Sequence, residues 1–591
     1  MTVVISVLLF SQSRQCNRFQ CPNAVFCELS NTSSLIFNFL NRLGITASQR
    51  YAYRAVTSMS TRMVEQAASS ARNHDRIPIF VLDNINIYVR PAEQRVQQSP
   101  TMHSFTMRTM LELRPEFKPA DLKIEDCEAL RSADKTALQV KDLEPNESYL
   151  HDAALIHISE VLFRHMKLSR RRRTQILSEV DRMRRNHDTD VLTTTQTEIH
   201  PLKLVQEDEG NLSGMQQVLH QTMRDVGWNV GDKALPVVGD LLTVNNILSV
   251  VAVSEDEPEP INQLKFLAPW SAPWHMLLAW TRLLFRQNYL SDKAGSDLSL
   301  DRVREMLNRG KTGLNVKEPQ FNEGWALLRH TFEGRLLAAM NTVMGEEWDV
   351  AEWTPPKRDF FAACRRLYCD HISPEAVVTA QQNKDQVKAA AGLLLRDSLI
   401  GIEYEVATKK GDIGRMAQTE RYMLLGFIAT GQHNYKNNLL SRALAAKVLP
   451  SRALRVLYGA SLVNRHGRAG DWEAADHLQE TFVKEVKATK ITASAQLELH
   501  SKIHVDGIIS QGWSKLRNGS LRKFQRSGDA LSIREAMLKT VARQSDDEES
   551  SDSDDEGAGD DVDDEQWDEA DRGLRARLAA ERSDGGLLNE M

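Results

Sequence analysis

Residues 77–90 read IPIFVLDNINIYVR. The first six are apolar or proline, and Asp83 follows at once. A short apolar run closed by Asp83-Asn84 predicts a buried strand that delivers a carboxylate at its end. Working outward, residues 101–113 (TMHSFTMRTMLEL) alternate and are rich in Thr and Met, which predicts a second strand, and 200–205 (HPLKLV) predicts a third. Residues 212–226 place Met215, Val218, Leu219 and Met223 at helical spacing. Residues 235–240 (LPVVGD) are a short apolar run ending in Gly-Asp, 241–253 fit either a helix or a strand, and 263–270 (QLKFLAPW) predict a fifth strand. The nearly all-apolar stretch 275–290 predicts a buried helix.

That order (strand, strand, strand, helix, strand, helix, strand, helix) matches a ribonuclease-H-like core. In such a core the first strand carries an Asp and the fourth ends beside a second acid. Asp83 and Asp240 fall at those places. Two carboxylates from adjacent strand ends can hold two Mg²⁺ or Mn²⁺ ions ~3.5–4 Å apart, which activate a water or a 3′-hydroxyl and stabilise the leaving oxygen of a phosphodiester. Hard oxygen ligands suit these ions, and no Cys/His cluster argues for zinc. Two plainer roles stay open. Asp83 can hydrogen-bond local backbone, and Asp240, followed by Leu241-Leu242-Thr243, can cap a helix.

A third acid has to come from the later helices. Candidates are Glu333, Asp397, Glu403, Asp412, Asp476 and Glu480, with Asp412 and Glu480 in the most motif-like surroundings. Asp412 sits in KKGDIGRM (409–416), which also reads as a helix-to-helix turn with a salt bridge through Arg415. Glu480 follows Asp476 by four residues, on one helical face. No P-loop, nucleophile elbow or dinucleotide-binding glycine pattern occurs; GNLSG (210–214) lacks the lysine a P-loop needs.

The 591 residues are 41% hydrophobic and 26% charged, enough for a large core. No apolar run approaches the ~20 residues that span a bilayer. The apolar stretch 3–10 has no basic segment before it and does not read as a signal peptide; a chain that starts inside such a stretch is expected to be a shortened form of a longer one. Six cysteines argue against disulfides and for a reducing compartment. Cys16, Cys21 and Cys27 lack the tight pairing and fourth ligand of a zinc site and read as buried thiols. The net charge of −6 hides an asymmetry: residues 546–571 hold 16 Asp and Glu and no Lys or Arg, and without them 74 basic residues stand against 64 acidic ones, a net of +10.

These patterns divide the chain into a helical N-terminal segment (1–75), an α/β core (76–290) with a basic helical insert at about 120–195, an all-helical region (291–544) and a disordered acidic tail (545–591). The whole is expected to be an α/β core with a mixed sheet embedded in a predominantly α-helical protein. In the insert, a helix running from Asp152 carries Arg170, Arg171, Arg172 and Arg173 and then Arg182, Arg184 and Arg185, an electrostatic footprint for DNA phosphate and a pattern for nuclear import. The tail suits basic partners such as histones, and Ser545, Ser551 and Ser553 each precede an acid by three residues, as acid-directed kinase sites do. A nuclear location is expected ahead of a cytoplasmic one, with no membrane association.

Several stretches resemble a known family: FSQSRQCNRFQ (10–20), LNRLGITAS (40–48), VLDNINIYVRPAEQR (81–95), VVGDLLT (237–243), KKGDIGRM, GQHNYKNNLL (431–440) and LVNRHGRAGDWEAADHLQE (462–480). The chain is identified as a member of domain-of-unknown-function family 6589, abundant in mushroom-forming fungi, over about residues 4–520. The resemblance implies a mobile-element origin and no assigned reaction. Members usually show Gly-Asp-Gln-Leu-Thr and Phe-His, where this chain has Gly239-Asp240-Leu241-Leu242-Thr243 and Trp274-His275. Two functions are therefore carried forward. One is a transposase-derived, ribonuclease-H-like protein with Asp83 and Asp240 as metal ligands. The other is a non-enzymatic helical nuclear scaffold that uses the basic helix and the acidic tail.

Overall fold

The computed structural model describes residues 2–490, except for residues 31, 74, 90–100, 114–115, 232, 290–298, 312, 315–317 and 346–347. The acidic tail and residues 491–544 of the anticipated helical region lie outside the described residues. Residues 1–59 and residues 60–490 fall in separate compact units.

In the first unit, α1 (Thr2–Gln12), α2 (Gln20–Leu29) and α3 (Ser34–Arg42) precede α4 (Gln49–Ala71). Ala24, Cys27, Phe37, Ala47 and Ala52 form its small core. Ser33 caps α3 by accepting from the Ile36 N–H.

The second unit is built on one five-stranded sheet. Strands β1 (Pro78–Val89) and β2 (Thr101–Glu112) pair antiparallel along their whole length. The insert follows as α5 (Ile124–Ser132), α6 (Val140–Leu143), α7 (Glu147–His165) and α8 (Arg170–His187). Then come β3 (Glu198–Pro201), α9 (Leu212–Val226), β4 (Leu235–Gly239), α10 (Leu241–Val253), α11 (Pro260–Gln263), β5 (Leu267–Ser271) and α12 (Pro273–Asn288). The spatial order is β3-β2-β1-β4-β5. The β3–β2 and β2–β1 pairs are antiparallel, and the β1–β4 and β4–β5 pairs are parallel.

Period-two alternation sets the two faces of this sheet. Phe80 and Leu82 of β1, Met110 of β2 and Leu235 and Val237 of β4 pack with Met215, Leu219 and Met223 of α9 and Ile247 and Val251 of α10. The odd-numbered residues of β1, Asp83 among them, point to the other face.

Helices dominate the remainder: α13 (Leu300–Met306), α14 (Phe321–Met344), α15 (Lys357–Leu367), α16 (Pro374–Gln382), α17 (Gln386–Lys410), α18 (Ile413–Ala429), α19 (His433–Val448) and α20 (Ser451–Ala460). A small hairpin, β6 (Leu462–Asn464) and β7 (Trp472–Ala474), leads into α21 (Ala475–Lys490). The stripe Trp325, Leu328, Phe332, Leu336 and Met340 is core, all of it buried in α14. All six cysteines are free thiols, and among the described residues no helix is long and apolar enough to cross a membrane.

The sequence expectations need six corrections. Of the three thiols read as buried, Cys27 is buried, Cys21 is half-buried and Cys16 is exposed. Asp83 stands inside β1 and not at its end, because β2 pairs with β1 out to Val89 whereas β4 pairs with it only as far as Val81. The third strand ends at Pro201, which has no N–H to continue the ladder; beyond it the chain stays beside β2 through the Leu202–Arg108 and Val205–Thr106 backbone bonds and the Arg108 side chain on the Lys203 carbonyl. The fifth strand starts at Leu267, since Gln263 still closes α11. The basic helix is two helices: the Lys167 N–H donates to the Ala351 carbonyl instead of continuing α7, and α8 starts anew after Ser169. Finally, the helical region contains the β6–β7 hairpin, which is bonded to the segment before β3 through Thr197 and Asn464. Gly411 makes room for it: at φ +73°, a Cβ there would meet the Trp472 ring at 2.6 Å.

Candidate functional site

The last parallel pair between β1 and β4 is Val81 with Val238. Two residues further on stand Asp83, still inside β1, and Asp240, just past the end of β4, so both acids lie at the same level where the two strands part. β4 stops because Asp240 caps α10: its Oδ1 accepts from the Thr243 N–H at 2.8 Å. Gly239 permits that turn to close, since a Cβ there would lie 2.6 Å from Thr243 Cγ2. The capping role foreseen for Asp240 is real and uses one of its oxygens. Asp83 differs: its Oδ2 is sealed from solvent without a hydrogen-bond partner.

Helix α21 lies against β1, β2 and β4. Thr109, which faces Val81 across the β1–β2 ladder, donates its hydroxyl to Gln479 Oε1 at 2.6 Å. That bond puts α21 on the Asp83 face, and Glu480 is the next residue. Burial pushes the Asp83 carboxyl up to about 8, the charges of Glu480 and Asp240 push the same way, and His275 opposes them.

His275 arrives from the first turn of α12. The N-cap of that helix is Ala272, which has no side-chain oxygen. Asp476 of α21 supplies one, accepting from the Trp274 N–H at 3.3 Å and the His275 N–H at 3.0 Å. The same carboxylate accepts from His275 Nδ1 at 2.9 Å, which fixes the tautomer and leaves Nε2 as the second ring nitrogen. Burial opposes a charge on His275, but Asp476, Asp240 and Asp83 outweigh it and raise its pKa.

The structure adds an acid that the sequence analysis missed. Glu209 lies in the turn before α9 and is 5% exposed. Its Oε1 accepts from Thr243 Oγ1 at 2.9 Å, while its Oε2 is buried without a partner. Burial first, and then the charges of Asp83 and Asp240, raise its pKa well above the ordinary carboxylate value. Its only trace in the sequence is the acidic run Glu207-Asp208-Glu209, which looks like any solvated turn.

The other acids proposed from sequence are not brought to this place. Asp412 caps α18 and accepts from the backbone N–H groups of Thr189, Asp190 and Arg415. Glu333 pairs with Arg164 at 2.8 Å. Asp397 is lifted to about 6 by burial, with Arg396 opposing. Glu403 anchors a separate buried network. Among the described residues no three His, Cys, Asp or Glu side chains are gathered into a ready metal site.

Of the basic residues on α8, Arg184 is engaged internally with Glu160 and Asp181. Arg173 lies over the Phe163 ring at 5.0 Å. Arg170, Arg171 and Arg185 are exposed, and Arg172 is half-buried.

A buried carboxyl with one oxygen unsatisfied has a measurable consequence. The folded-state pKa of Asp83, about 8, lies above its ordinary value of 3.8, so the folded state holds this proton more tightly than the unfolded chain does. Stability from this group is therefore lost as pH rises from about 4 through 8. In EDTA, Asp83→Asn is expected to stabilise the protein by about 1–3 kcal/mol at pH 9 and by less at pH 5. Urea unfolding at the two pH values checks this; a variant less stable than wild type at pH 9 contradicts it.

Comparison with known proteins matches the chain to the model of the family of unknown function DUF6589, over residues 131–505. That span contains Glu209, Asp240, His275, Asp476 and Glu480, and Asp83 lies ahead of it. No curated protein and no solved structure matches the chain.

Proposed function

The chain belongs to the family of unknown function DUF6589, a membership that assigns no reaction, and we propose from its site that it is a ribonuclease-H-like, transposase-derived protein that cuts or joins the DNA backbone with divalent cations. One observation carries this reading: Asp83 in β1 and Asp240 directly after β4, the parallel strand beside it, stand at matching levels, and α21 brings Glu480 to the same face. The strand order and directions are those expected of a ribonuclease-H-like core.

The residues fit hard cations. Asp83 Oδ2 is buried without a donor, which is costly for a permanent structural carboxylate and natural for a ligand. Asp83, Asp240 and Glu480 would hold the ions, and no soft ligand competes. When bound, Mg²⁺ or Mn²⁺ supplies the activated nucleophile and the charge that stabilises the leaving oxygen. The chain does the rest. Thr243 orients Asp240, Gln479 anchors α21 to β2, and Asp476 holds the imidazole of His275 where its second nitrogen can exchange a proton at the site.

DNA would be held by α8, through the exposed Arg170, Arg171 and Arg185 and the half-buried Arg172 and Arg173 beside them, in a nuclear protein. Arg171→Ala with Arg185→Ala is expected to weaken DNA binding at all sequences and to flatten the slope of log Kd against log salt by about 0.9 for each phosphate left unneutralised. Arg184→Ala should instead lower stability, because Glu160 and Asp181 lose their partner. Filter binding from low to high salt separates the two.

Incubating the protein with supercoiled plasmid and Mn²⁺ tests the function. Nicked or joined product that EDTA abolishes supports the proposal. Salt-sensitive DNA binding with no product in any divalent cation would replace it with the scaffold reading.

A further inference from the structure

Glu209 is held in place from two sides. Asn84, next to Asp83 in β1, donates its side-chain amide to Asp208 at 3.1 Å. Asn246 of α10 donates to the Glu209 carbonyl at 2.7 Å. Between these anchors, Thr243 gives its backbone N–H to Asp240 and its hydroxyl to Glu209. One threonine thus ties the carboxylates of Asp240 and Glu209 together, beside Asp83. A glutamate that served only to accept from Thr243 would need one oxygen. Oε2 is left buried and without a hydrogen-bond partner, beside two further acids, and a divalent cation is a partner that such a group calls for.

We infer that Glu209 is a fourth carboxylate ligand of the Asp83–Asp240 site, and that the site takes two hard divalent cations, Mg²⁺ or Mn²⁺. The inference rests on the metal reading proposed above and adds a ligand to it. Charge supports two ions: once cations displace the protons of Asp83 and Glu209, these two with Asp240 and Glu480 bring four negative charges to a poorly solvated place, and one divalent ion balances only half of them.

Counting bound Mn²⁺ from the free-ion electron paramagnetic resonance signal tests this on the full chain. Wild type is expected to bind two ions. Glu209→Gln, which keeps an oxygen for Thr243, should keep one and bind the second at least ~10-fold more weakly, the smallest loss that even outer-shell changes at metal sites produce. Asp83→Asn should lose both. If Glu209→Gln binds two ions with wild-type affinity while Asp83→Asn binds none, the role of Glu209 is overturned and the metal reading stands. If wild type binds none, both fall. Thermal midpoints in EDTA guard against misfolding: Glu209→Gln should equal or exceed wild type, because the amide keeps the acceptor for Thr243 and removes a carboxyl that is costly to ionise there, and a lower midpoint would mark Glu209 as purely structural and overturn the inference.

Discussion

Glu403→Ala is expected to destabilise the second unit by about 3–5 kcal/mol. Glu403 is fully buried on α17 and accepts from five donor atoms brought by three other helices. Its Oε1 takes the Tyr149 hydroxyl at 2.6 Å, Arg415 Nε at 2.8 Å and His187 Nε2 at 3.1 Å. Its Oε2 takes His157 Nε2 at 2.7 Å and Arg415 Nη2 at 2.8 Å. Alanine would leave the Arg415 guanidinium buried opposite nothing, and an unpaired buried charge costs far more than a lost surface pair. Glu403→Gln should be almost as damaging, since it turns a donor toward Arg415 or His157.

The pH profile identifies the cause. Although burial opposes it, His157, His187 and Arg415 hold Glu403 well below its ordinary value of 4.5, so its contribution is present above about 4.5 and lost as pH falls further. Burial also opposes charge on His157, but Glu160 and Glu403 raise it to about 9, so its contribution is present below 6.5 and lost as pH rises through 9. Wild type should gain most over Glu403→Ala between about pH 5 and 7, with the gap narrowing on both sides. A gap under about 1 kcal/mol in urea unfolding at pH 6, or one independent of pH, contradicts this account.

Much of the sheet was legible because its strands are apolar runs closed by turn residues. Which face of β1 meets α9 was not legible, because Ile79 and Val81 are as apolar as Phe80 and Leu82. The ladder itself was not legible: nothing in IPIFVLDNINIYVR says that β2 accompanies β1 to Val89 while β4 leaves it after Val81, yet that difference puts Asp83 beside Asp240. The three-residue strands β6 and β7 are too short to show a period. The choice between Asp412 and Glu480 turned on contacts across more than a hundred residues, such as the Thr109–Gln479 bond. Glu209 was hidden for the opposite reason, because a turn full of acids is the ordinary appearance of solvated surface.

The second large expected effect concerns Asp83→Asn, Asp240→Asn and Glu480→Gln. If these carboxylates hold the cations, each change removes several kcal/mol of transition-state stabilisation, on the order of 10³-fold in rate. Asp412→Asn separates the two late candidates. It weakens the cap of α18 and should lower stability by about 1 kcal/mol, while the folded protein keeps its rate, because Asp412 gives its oxygens to backbone N–H groups and not to the site.

The most direct measurement is the initial rate of Mn²⁺-dependent nicking of supercoiled plasmid by wild type and Asp83→Asn, purified side by side and shown to be equally folded. The account predicts product from wild type that EDTA abolishes, and none above background from Asp83→Asn. Equal rates from the two proteins, or folded wild type that binds DNA and nicks none of it in any divalent cation, would contradict it.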